Sequence, residues 1–172
     1  MDEMELSRKA VKGDETAFLA LMRQHKEDLL RTALAFLKNE HEALEALQEV
    51  TVRAYHKIHT VKEPAYAKTW LIRIMMNYCQ DQLKRQKWFH PREIAIDQQG
   101  TEDASQLELK EALAALPEKE QQLIYLKYFQ DVKIKDIAIL ENIPEGTVKS
   151  RLHKTLRSLR AYFEDEGGKE HV

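Results

Sequence analysis

Cysteine occurs once in the 172 residues, at Cys79, so the chain can form neither an internal disulfide nor a cysteine cage for a metal. That usage fits a reducing compartment, and a cytoplasmic location is expected. No apolar run approaches the roughly 18 residues a membrane span requires, and the opening MDEMELSRKA lacks a signal-peptide core. Glycine (5) and proline (4) are scarce. With little β-branched alternation as well, helices are expected to dominate. The length excludes a large catalytic scaffold and leaves room for one ordinary domain or two small ones. Neither sign of charge prevails: 27 basic residues face 29 acidic ones, a net of −2.

That total hides an alternation. Residues 1–67 carry a net −2, and residues 68–92 carry +5, with Asp81 their only acid. Residues 93–120 carry −6, residues 121–163 carry +4, and the last nine carry −3. Two basic islands are thus separated by an acidic stretch. Phosphate binding follows local basicity rather than the total, although a solvated helix face would look the same by charge alone.

Apolar positions from Asp14 onward (Phe18, Leu21, Met22, Leu29, Ala33, Phe36 and Leu37) recur at helical spacing and mark the first expected helix. A second helix is expected over about 41–58, with Leu44, Leu47, Ala54, Tyr55 and Ile58 on its buried side. After Pro64 a third runs over about 65–87, through Trp70, Leu71, Ile74, Tyr78 and Leu83. The stretch 90–106, HPREIAIDQQGTEDASQ, holds Pro91, Gly100 and four acids with little periodicity, and reads as a linker. Extended, it would reach roughly 55–60 Å. Helical periodicity resumes from Leu107 to Leu116, and further helices are expected at about 118–130, 134–140 and 145–163. The acidic tail EDEGGKEHV is expected to fray. The expected fold is all-α: two small helical domains, 1–89 and 107–172, joined by an acidic tether at 90–106.

The segment IKDIAILENIPEGTVKSRLHKTLRSLR (134–160) has the grammar of a helix-turn-helix. Ala138 lets two helices cross closely, and Asn142 tolerates the left-handed turn that follows. On the second helix Val148, Leu152, Leu156 and Leu159 are expected to pack inward. Lys149, Ser150, His153, Lys154 and Arg157 fall on another face, suited to base edges and phosphates in a major groove.

The stretch from Ala112 to Arg160 resembles region 4 of the bacterial extracytoplasmic-function (ECF) sigma factors. That family's signature there has an ALxxLP start, an EIA-like helix and a P-x-GTVKSRL string. Leu113, Leu116, Pro117, Ile137, Ala138 and the run Pro144, Gly146 to Leu152 stand in those places. Asp131 and Asn142 occupy turn positions where the family usually has glycine, and Glu141 one where an apolar residue is usual. EALEALQEVTVRAY (42–55) is similar to the family's region 2.2, with Glu45, Gln48 and Glu49 at its polar positions and Val50-Thr51 in place of Thr-Phe. KTWLIRIMMNYCQDQLKRQK (68–87) resembles regions 2.3 and 2.4, where Trp70, Leu71, Arg73, Ile74, Asn77, Asp81, Lys84 and Arg85 fit the pattern. KGDETAFLALMRQH resembles the family's first helix.

The resemblance implies a factor that directs core RNA polymerase to promoters and promotes DNA opening, itself no enzyme and with neither cofactor nor metal. For the −35 element it implies contacts by Lys149, Ser150, His153 and Lys154, with Arg151 and Arg157 on phosphates. For the −10 element it implies a base pocket at the loop 59–66, with Val61, Ile74 and Asn77 as the corresponding positions. Arg73, Lys84, Arg85 and Lys87 would then track the backbone. Glu45, Gln48 and Glu49 would dock on the polymerase clamp helices, and a second polymerase contact is expected at the flap region. A cognate anti-sigma factor, of a kind often membrane-bound, is also implied, with no membrane insertion by this chain.

Two other classes remain in view. His41-Glu42 opens like a zinc-protease HExxH, but residue 45 is Glu, so the second ligand is missing. A stand-alone helix-turn-helix regulator would explain residues 134–160 but not the match over 42–87.

Overall fold

A computed structural model describes the backbone of residues 2–89 and 104–169, and the side chains of 2–89 and 109–164. Among the described residues every regular element is helical. The expected linker lies outside the described residues, except that 104–106 already belong to a helix. The chain divides into two compact units, Met1–Ile96 and Asp97–Val172.

The N-terminal unit contains α1 (Glu3–Val11), α2 (Glu15–Leu37), α3 (Glu40–Lys57) and α4 (Ala67–Phe89). Short polar side chains start the first three. Asp2 accepts the Glu5 amide at 2.8 Å, Asp14 that of Ala17 at 3.0 Å, and Asn39 that of Glu42 at 2.9 Å. Two 3₁₀ turns, Ile58–Thr60 and Pro64–Tyr66, carry the chain from α3 to α4. Helix α2 is central and packs on α1, α3 and α4. Leu21, Leu29, Leu71, Ile72, Met75 and Met76 are fully enclosed in this core.

Three expectations need correction here. Helix α1 was not foreseen: it buries only Ser7 and Ala10, too little apolar content to set a period. In α3 the inward face is Ala43, Ala46, Val50 and Ala54, whereas Leu44 and Tyr55 are exposed (45% and 46%). Alanines let α3 approach α2 and α4 closely, so the larger residues sit outside. In α4 the buried set is Ala67, Leu71, Ile72, Met75, Met76, Cys79 and Gln80, and Trp70, Ile74, Tyr78 and Leu83 lie half-buried at its margin.

The C-terminal unit contains α5 (Ala104–Ala114), α6 (Glu118–Ile124), α7 (Ile134–Glu141) and α8 (Glu145–Lys169). Helix α6 runs on into a π turn, Tyr125–Phe129, closed by the Gln130 amide donating to the Tyr125 carbonyl at 3.0 Å. The Tyr125 and Phe129 rings stack with centroids 5.5 Å apart. Helix α8 packs on α5, α6 and α7. Leu126, Ile137, Val148 and Thr155 are enclosed between them.

Asp131 (φ 55°) and Asn142 (φ 56°) are both left-handed, as their replacement of glycine leads one to expect. Asn142 ends α7: its amide donates to Ile139, and the Ile143 amide to Ala138, which closes the helix in a Schellman turn. The inward stripe of α8 also departs from expectation. Leu156 is 40% exposed and Thr155 is fully buried, its hydroxyl donating to the Arg151 carbonyl at 2.8 Å. The self-satisfied hydroxyl lets a threonine occupy a core position. Helix α8 continues to Lys169, beyond the expected end at 163 and into the tail expected to fray.

Candidate nucleic-acid interface

The exposed face of α8 is the first candidate surface. Lys149, Ser150, His153, Lys154 and Arg157 are all exposed, opposite the buried Val148, Leu152 and Thr155. The Ser150 hydroxyl donates back to the Gly146 carbonyl at 2.9 Å, which leaves its oxygen lone pairs facing outward. An Arg157 Nη2 donor lies 3.1 Å from His153 Nε2. A guanidinium only donates, so this contact makes Nε2 the acceptor and puts the ring proton on Nδ1. Arg151 is exposed at the edge of this face and reaches Glu141 on α7 at 3.8 Å. The carboxylate at 141, unusual there by resemblance, thus ties the recognition helix to the helix before it.

A second surface lies along α4. Helical spacing puts Trp70, Ile74, Asn77, Asp81, Lys84 and Trp88 on one line. Asn77, Lys84 and Arg85 are exposed, and Arg73 and Ile74 are half-buried. Val61 differs from its companions. It is only 8% exposed, so its side chain belongs to the core beneath the turn and not to an open pocket wall. Tyr66 in the neighbouring 3₁₀ turn is half-buried. Two aromatic residues not singled out by sequence, Trp88 (82% exposed) and Phe89 (69%), stand at the end of the line. Their position directly after Lys84, Arg85 and Lys87 was the readable sign.

The third surface is the outer side of α3. Glu45, Gln48 and Glu49 are exposed there, with Glu45 3.1 Å from His41 and Glu49 3.4 Å from Arg53. Leu44, Val52 and Tyr55 share this outward side. Assigning residues to the core by size concealed them.

Cys79 is fully buried, and burial pushes its thiol up to about 12, so it is chemically inert at neutral pH. Among the described residues no three His, Cys, Asp or Glu side chains gather where they could hold a metal, and no helix is long and apolar enough to cross a membrane.

The family described as "Sigma-70 region 2" matches residues 21–89, and that described as "Sigma-70, region 4" matches 106–159. The RNA polymerase sigma factor SigV of Bacillus subtilis is 32% identical over 146 residues, covering 83% of this chain and 88% of that protein. The ECF RNA polymerase sigma factor SigW of the same organism is 31% identical over 173 residues, covering 90% and 92%. Among solved structures, CnrH in complex with the cytosolic domain of CnrY superposes with a TM-score of 0.64 at 21% identity, covering 95% of this chain and 97% of that one. The sigma factor RpoE of Bartonella quintana, solved with the anti-sigma factor NepR, gives a TM-score of 0.55 at 20% identity, covering 80% and 91%.

Proposed function

The chain belongs to the ECF RNA polymerase sigma factors of the sigma-70 family, and from that premise we propose how its surfaces divide the work of initiation. Residues 1–89 form the region 2 domain, 107–172 the region 4 domain, and 90–106 the connection between them. The face of α8 reads the −35 duplex: Lys149, Ser150, His153 and Lys154 meet base edges and nearby backbone. Arg157 and Arg151 hold phosphates on either side. The line on α4 captures the −10 strand. Asn77 offers a donor and an acceptor to a base edge, Ile74 supplies an apolar wall, and Arg73, Lys84 and Arg85 follow the backbone. Val61 supports that wall from within.

Opening needs no bond chemistry from this chain. It follows from binding separated strands better than duplex, while the catalytic centre belongs to the polymerase, in the cytoplasm. Glu45, Gln48 and Glu49 dock on the clamp helices, their charge matching a basic partner, and Leu44, Val52 and Tyr55 add an apolar contact. An anti-sigma factor that covers these faces is part of the same reading, as RpoE of Bartonella quintana was solved with one.

The observation that carries this reading is the occurrence in one chain of two exposed polar and basic faces, one on α4 and one on α8. It favours a two-element promoter reader over a stand-alone helix-turn-helix regulator, which needs only the second. Run-off transcription with core polymerase and sequenced start sites tests it. Asn77→Ala is expected to reduce −10 selectivity and opening, and Lys154→Ala to reduce −35 selectivity. Tight, dimeric, sequence-specific binding by the chain without polymerase would instead identify a regulator.

A further inference from the structure

Trp88 and Phe89 are the two most exposed large apolar side chains described, at 82% and 69%. They lie on the last turn of α4, where exposed aromatic surface of this size calls for an occupant. Their surroundings define its chemistry. From Gln82 to Phe89 the helix carries Lys84, Arg85 and Lys87 and no carboxylate, and all three cations are exposed. On the helix surface Trp88 is four residues from Lys84 and three from Arg85, and Phe89 is four from Arg85, so each ring has a cation as its neighbour. Flat rings interleaved with cations match a polyanion that also presents aromatic faces. Unpaired nucleic acid has both properties, whereas duplex hides its base faces in the stack.

Continuity with the α4 surface points the same way. Trp88 continues the line of Ile74, Asn77 and Lys84. Eleven residues of helix separate Asn77 from Trp88, about 16 Å at 1.5 Å per residue. At roughly 3.4 Å per nucleotide of one strand, that is about five nucleotides from the base at Asn77.

We propose that Trp88 and Phe89 form a stacking platform for an unpaired promoter base, at the edge of the opened segment and about five nucleotides from the base read by Asn77. The platform rests on the reading of α4 as the −10 surface and extends it. It makes the last turn of α4 hold strands apart, separate from sequence reading.

The test uses holoenzyme, made from the full chain and core polymerase, on promoter DNA carrying 2-aminopurine at successive positions around the −10 element. Wild-type holoenzyme is expected to quench the probe at one position about five nucleotides from the base protected by Asn77. Trp88→Ala with Phe89→Ala should remove that quenching and lower the equilibrium extent of opening by about tenfold, within the span reported for losing one base–aromatic stack. Trp88→Tyr should restore both. Affinity for core polymerase and the promoter sequence selected should not change. Unaltered quenching and opening in the double variant would overturn the proposal, as would a loss of core affinity, which would make the rings a protein contact. Failure of the wild type to initiate at all would instead refute the −10 assignment on which the platform stands.

Discussion

The guanidinium of Arg53 on α3 lies 5.0 Å from the centre of the Tyr78 ring on α4. Glu49 holds the same group from its own helix, with 3.4 Å between Oε1 and Nε. Tyr78 adjoins Asn77, so a single cation spans the helix assigned to polymerase and the helix assigned to DNA. Burial, reinforced by Glu49, raises the Tyr78 phenol above its ordinary value, so the ring stays neutral beneath the cation.

Arg53→Ala is therefore expected to destabilise the N-terminal unit by about 0.5–1 kcal/mol, the usual range for a partly exposed cation–π contact. Urea unfolding should show a lower midpoint with unchanged slope, and Arg53→Lys should fall between the two. An unshifted midpoint in Arg53→Ala would mean that the contact contributes nothing.

His25 gives a pH dependence. It is 4% exposed, with Nε2 3.1 Å from Glu3 Oε1. Burial lowers its pKa below 6.5; Glu3 opposes this, Lys68 reinforces it and Asp28 opposes it. Well above 6.5 the ring is neutral folded and unfolded, and contributes no pH dependence. As pH falls through 6.5 the unfolded chain takes up the proton first, so stability declines until the lower folded value is passed. Thermal unfolding between about pH 8 and pH 5 should show a steeper loss in wild type than in His25→Gln. Equal slopes would remove His25 as the cause.

The inward stripe of α8 makes two adjacent leucines unequal. Leu152 is 7% exposed and Leu156 is 40%. Leu152→Ala is expected to cost about 2–4 kcal/mol, as for other buried leucines, and Leu156→Ala less than about 1 kcal/mol. Comparable losses in denaturant titrations would place Leu156 in the core after all.

Asn142 holds a left-handed conformation (φ 56°, ψ 49°) at the end of α7. A residue with an ordinary Cβ pays about 1–2 kcal/mol for that geometry. Asn142→Ala should lose about 1 kcal/mol, and Asn142→Gly should stay within about 0.5 kcal/mol of wild type. If alanine and glycine prove equivalent by thermal unfolding, the turn is not the source of the asparagine's value.

Much of this architecture is legible from side-chain chemistry. Asp14 announces the start of α2, and every apolar position expected inside it is buried except the half-buried Phe36. Asp131 and Asn142 are readable as left-handed because both stand where a turn needs that freedom. The errors share one physical cause. Large side chains were assigned inward, but α3 turns its alanines to the core, and α8 a threonine that satisfies its own hydroxyl. Periodicity reports which residues share a face; it does not say which face is covered. The same bias hid the outer apolar residues of α3 and the aromatic end of α4, while Val61, read as a surface position, is enclosed.

At Tyr125–Phe129 the helix takes one more residue per turn than the winding around it. In genetic terms the segment is an insertion absorbed in place. Deleting a single codon there, Lys127 for example, would return the helix to ordinary winding and rotate everything downstream by about 100°. The Tyr125 and Phe129 rings would part, and Asp131 would leave its turn at the entrance to α7. The reading frame of this short stretch therefore governs the aim of a recognition helix twenty residues further along, with no core side chain removed.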